Sequence, residues 1–188
     1  MHRVDYSLPV MTGIVQASTA AVLIAALMTF GDFVWASFVP AHRVVYGLLH
    51  GLLLCLAIGL SLGVPRARPG RGALGGAVIG LLAAVLFYAL APLLGWGAMF
   101  PAWMAFWIAF AVLDGRGLGE PRRTTRESVA RGILAAAASG VAFYAISGIW
   151  THPAPGGPDY PRHFASWTIA FLPGFLALAV SPRPRPPA

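Results

Sequence analysis

The sequence predicts an all-α fold: a polytopic membrane protein in which residues 1–188 form a single integral-membrane domain, a bundle of six transmembrane helices. Three observations predict it. The chain is 58% hydrophobic and only 10% charged, whereas a water-soluble domain carries about 25% charged residues. Its mean hydropathy is +0.74, so it cannot clothe a globule in water and needs a bilayer as solvent. The apolar residues also fall into six runs, separated by short segments rich in Arg, Pro and Gly.

The first run, residues 8–30, follows a weakly basic start. It resembles a signal peptide only loosely. It is long for an h-region, and "VWASF" makes a poor cleavage site, so an uncleaved span is expected. The second run, residues 44–63, opens on "HRVVYGLLHG". There His42, Tyr46 and His50 stand at i, i+4 and i+8, one stripe of a helix. The same run carries Gly47, Gly51, Cys55, Gly59 and Gly63, each four residues apart. The third run, residues 74–94, is preceded by Gly72 and continues with Gly76, Gly80 and Ala84 at the same step; Pro92 can kink it.

The fourth run, residues 99–113, is short for a span, and its Trp103 and Trp107 (i, i+4) are expected to pack inside the bundle. The fifth, residues 129–149, follows "TTRES", in which Thr125 is the expected helix cap. It carries Gly132, Ala136 and Gly140. The sixth, residues 164–180, follows "THPAPGGPDYPRH", a loop that its four prolines should make rigid, and carries Pro173 as a second potential kink.

Charge sets the expected orientation. Arg66, Arg68 and Arg71 follow the second run; Arg116, Arg122, Arg123, Arg126 and Arg131 follow the fourth; Arg183 and Arg185 follow the sixth. The other three connections hold only Arg43 and Arg162. The positive-inside rule then puts both termini in the cytoplasm of a bacterial inner membrane. Tryptophan agrees: Trp35, Trp96 and Trp150 fall at outer ends, where an indole anchors at the interface.

In lipid, helices associate through close backbone approach, which rows of small residues permit. The rows predict spans two, three and five as the tightly packed centre, and they also suit a homo-oligomer contact. A shift of sixty residues lays Arg71, Gly72, Leu74, Gly80 and Trp107 on Arg131, Gly132, Leu134, Gly140 and Trp167. This weak internal repeat suggests helical hairpins, with spans three-four and five-six as copies of one unit.

Several functions are excluded or weakened. The basic residues cluster at span ends, so they argue for lipid and against nucleic acid, despite a pI near 10.8. A single cysteine, Cys55, rules out an intrachain disulfide and a CxxC motif. A Walker A signature is missing. Asp32, Asp114 and Asp159 all fall at span ends, whereas an ion-coupled transporter usually buries an acid at mid-membrane.

The polar residues expected on the outer face are the candidate site. Asp32, His42, Arg43, Tyr46, His50, Trp103, Asp159 and Arg162 can line an outward-facing pocket, with the arginines supplying charge and the aromatics the walls. That pocket would bind or pass a small ligand, or the chain would serve as a subunit of a membrane complex. A second reading makes His50, His163 and His152 ligands of a transition metal or a haem, because imidazole suits both. A His–Asp pair acting as an oriented base is a third chemistry. The plain alternative is that these groups tie loops to helix ends by hydrogen bonds.

Overall fold

The structure, a computed structural model, describes residues 7–38, 43–119, 123–146 and 159–179. Across the described residues the chain is all-helical. Its main helices are α1 (Ser7–Phe38), α2 (Arg43–Gly63), α3 (Pro69–Leu94), α4 (Met99–Val112), α5 (Thr125–Ile146) and α6 (Tyr160–Ala179). Four of them, α1, α2, α3 and α5, are long and apolar enough to cross a membrane. α4 has 14 residues and runs on into a π-helical turn, Leu113–Leu118. α6 opens on the polar sequence Tyr-Pro-Arg-His.

Helix ends follow local chemistry. α2 stops at a 3-10 turn over Val64–Arg66, after which Ala67 takes a left-handed conformation with φ 54°. Pro69 then occupies the first position of α3, where its missing N–H costs nothing. α5 starts on a capping box: Glu127 N–H donates to Thr124 Oγ1 at 3.2 Å, and Thr124 N–H donates to Glu127 Oε2 at 2.9 Å. The cap is therefore Thr124 and not Thr125, because the reciprocal bond needs a carboxylate three residues on. α1 runs eight residues beyond the apolar stretch, to Phe38, and so keeps Asp32 on the helix.

The helices pack as a ring in chain order, closed by α6 against α1. The α2–α3 pair is the most intimate. A Cβ on Gly59 would collide with the Gly72 carbonyl, and one on Gly76 or Gly80 with the carbonyls of Cys55 or Gly51. The two backbones therefore touch along three turns. The glycine row of α5 works elsewhere: a Cβ on Gly132 would lie 2.5 Å from Ile108 Cα on α4. The expected centre of spans two, three and five is thus corrected to an α2–α3 pair beside an α1–α6–α5–α4 layer. A small-residue row shows that some helix comes close, without showing which one.

That layer encloses the core. Ala17, Ala21, Ile24 and Ala25 of α1 are buried against α6. Trp103, Phe106, Trp107 and Phe110 of α4 meet Phe143 of α5 and Phe171 and Phe175 of α6 in a continuous aromatic stack. The Trp107 side chain is completely buried and sits against Gly174, which has no side chain to displace it. Ser139 on α5 donates to the Ala170 carbonyl on α6.

Candidate functional site

The bundle has two ends, and each gathers polar groups. At the end away from the start of α1, Asp32 is the hub. Its Oδ2 accepts a hydrogen bond from Trp167 Nε1 at 2.8 Å and lies 2.8 Å from His163 Nδ1. Both partners are on α6, four residues and so one helical turn apart, which lets one carboxylate oxygen meet both. The carboxylate is 23% exposed and the His163 side chain 13% exposed. With its proton on Nδ1, His163 is held in one orientation by the acid, the arrangement that fixes an imidazole for proton transfer or ligation.

Tyr46 and His50 face the same stretch of α1. The Tyr46 hydroxyl donates to the Gly31 carbonyl at 2.5 Å and lies 3.5 Å from His50 Nδ1. The two rings stack with centroids 5.5 Å apart. His50 Nε2 lies 3.2 Å from Met28 Sδ. Gly31 makes this possible, because a Cβ there would strike the His50 ring. Two residues of the stripe therefore look at protein, not lipid. Both neighbours present lone pairs to the ring, the Tyr46 oxygen to Nδ1 and the Met28 sulfur to Nε2, so either ring nitrogen can carry the proton and donate.

The structure places the other candidates differently. Trp103 stacks between Phe106 and Phe143 in the aromatic core, away from this cluster, and its indole N–H has no acceptor among the described residues. It is a core residue, packed against the buried aromatic cluster of α4, α5 and α6. Asp159 accepts a hydrogen bond from the Arg162 backbone N–H at 3.1 Å and so starts α6. Arg162 itself is exposed. His42, His152 and the side chain of Arg43 lie outside the described residues. No group of three His, Cys, Asp or Glu that could hold a metal comes together among the described residues. His50 and His163 are brought to the same end, each with its own partners.

The opposite end holds a cluster that the sequence reading missed. Asp114, in the π turn after α4, is only 2% exposed. Its Oδ1 lies 2.5 Å from Arg66 Nη2, and its Oδ2 lies 3.4 Å from Arg131 Nη1 and 3.7 Å from Arg123 Nη1. Arg131 also donates to the Leu178 carbonyl and Arg66 to the Leu62 carbonyl, at the last turns of α6 and α2. Gly115 lets α5 approach, because a Cβ there would collide with Ser128. The available signal was one acid, in "DGRG", set among arginines at the end of an apolar run.

A cavity of about 60 Å³ opens beside this cluster, between α1, α2 and α6. Gln16, Ser61 and Arg66 give it polar walls, and Ala17, Leu62 and Phe175 apolar ones. It lies at the end opposite Asp32. Comparison with known protein families, curated proteins and solved structures finds no match to this chain.

Proposed function

We propose that this all-helical membrane protein crosses a bacterial inner membrane six times, with both termini cytoplasmic, and binds a small polar ligand at its outer end through Asp32. The arginine distribution supports the orientation. Six crossings need α4 together with its π turn, and α6, to span beside the four longer helices. The sixty-residue repeat fits this layout, because Trp107 and Trp167 join one aromatic cluster from consecutive hairpins.

One observation carries the ligand reading. Oδ2 of Asp32 takes both donors from α6, and Oδ1 has no donor among the described residues. An ionisable group on a membrane-spanning helix is costly and is a functional candidate by default. Asp32 is the one acid among the described residues of the Asp32–Tyr46–His50–His163 cluster. Phe33 and Tyr160 flank it, ring centroids 5.8 Å apart. A carboxylate beside aromatic rings suits a small cation or amine.

The test is thermal unfolding of the purified full chain with a series of small primary and quaternary amines, compared with acetate and phosphate. A rise in Tm with amines that disappears in Asp32→Asn supports the reading. Equal shifts in both proteins sink it.

A second reading rests on the Met28–His50 contact. An imidazole nitrogen and a thioether sulfur 3.2 Å apart are the donor types of a site for a soft cation such as copper(I). A haem is less favoured there, since direct contact between the two atoms leaves no room for a porphyrin. An absorbance spectrum and metal analysis, with His50→Ala as control, decide this. Stoichiometric metal lost in the variant supports it, and a protein that stays metal-free after reconstitution with copper(I) rejects it.

A further inference from the structure

We propose that the end of the bundle holding Asp114 is a binding site for the phosphate of an anionic lipid headgroup, seated in the cavity between α1, α2 and α6 against Arg66. The inference rests on the chain residing in a bilayer and is independent of the Asp32 site.

Three observations converge. The first is charge. Arg66, Arg123 and Arg131 surround one carboxylate, with side chains 28%, 22% and 11% exposed. Among the described residues one carboxylate faces all three guanidinium groups, a concentration of positive charge that attracts an anion. The second is an unmet donor. Arg123 Nη1 is buried with no hydrogen-bond acceptor among the described residues, and its distance from Asp114 is beyond hydrogen-bond reach. The third is shape. At about 60 Å³ the cavity has room for several waters, each of which needs ~10–15 Å³ of such space, and so for a small polar group such as a phosphate.

Arg66 is the link, because it both grips Asp114 and lines the cavity. Leu178, another wall residue, offers the carbonyl that Arg131 holds. Gln16 supplies a further donor in the wall, while the Ser61 hydroxyl donates to the Ile58 carbonyl at 2.7 Å. The apolar wall of Ala17, Leu62 and Phe175 suits the glycerol backbone that follows the phosphate. Exposed Arg68, Arg71, Arg116 and Arg126 at the same end raise the local concentration of anionic lipid. Basic pockets between membrane helices are known to take such headgroups.

The experiment uses the full chain in detergent. Its Tm is followed with short-chain phosphatidylglycerol, short-chain phosphatidylcholine and inorganic phosphate, each titrated separately. Phosphatidylglycerol should raise the Tm saturably, and phosphatidylcholine should not. Arg123→Gln should weaken the apparent affinity about fivefold, the loss of one arginine near a lipid surface. Ser61→Leu fills the cavity without touching the arginines and should abolish the shift. Arg126→Gln, an exposed arginine outside the cluster, should leave it intact. If Ser61→Leu fails to fold, Arg123→Gln against Arg126→Gln decides. Equal shifts with phosphatidylcholine, or unchanged binding in Ser61→Leu or Arg123→Gln, overturn the site. Inorganic phosphate acting as strongly as phosphatidylglycerol overturns the lipid as its source.

Discussion

His163 Nδ1 and Asp32 Oδ2 lie 2.8 Å apart although 131 residues separate them in the chain. This contact joins the start of α6 to α1, and Trp167 reinforces it one turn further along α6. Asp32→Leu should therefore cost about 3 kcal/mol, because it strands two donors in a largely apolar setting. Asp32→Asn keeps an oxygen and should cost about 1 kcal/mol. Unfolding in mixed micelles separates the two. Equal losses would mean that the carboxylate oxygen is not what α6 reads.

Glycine spacing yields a paired test. Gly72→Ala drives a methyl group into the Gly59 carbonyl and should destabilise by about 2–3 kcal/mol, as overpacking does. Gly70→Ala, two residues earlier, meets nothing within 4 Å and should be neutral or stabilising by up to about 1 kcal/mol. Similar Tm values for the two variants would contradict the α2–α3 contact.

The Asp114 cluster predicts a larger loss. Asp114→Leu leaves three arginines without their anion and should cost about 3–5 kcal/mol. Arg123→Gln should cost under about 1 kcal/mol, since its 3.7 Å contact is the weakest of the three. Thermal unfolding at matched detergent concentration gives the order, and a reversed order would displace Arg66 as the main partner.

The capping box at α5 separates adjacent threonines. Thr124→Ala should lose about 1 kcal/mol. Thr125→Ala, which removes only an acceptor for the exposed Arg116, should stay within about 0.5 kcal/mol. Hydrogen exchange at the Glu127 amide reads the difference directly.

Ala67 holds a left-handed conformation with φ 54°, which costs an L-residue roughly 1–2 kcal/mol. Ala67→Gly relieves that strain but loosens the unfolded chain. A net gain of about 0.5 kcal/mol is expected as a small rise in Tm, and a fall would show that the turn does not need this geometry.

The sequence by itself determined the helical class, the apolar runs and, within a few residues, where the helices lie, because both the 20-residue scale of a bilayer and the punctuation by Pro, Gly and Arg are local properties. It also placed Tyr46 and His50 on one face. Tertiary structure decided which faces meet. A glycine row announces close approach without its partner, so the row on α5 went to α4. An acid at the end of an apolar run reads as a loop residue, so Asp114 showed its burial only once Arg66, Arg123 and Arg131 arrived from three segments. Asp32 likewise acquires its role only when α6 closes the ring on α1. Hydrophobic periodicity is written along the chain, whereas a hydrogen-bonded hub exists only between chain segments that packing brings together.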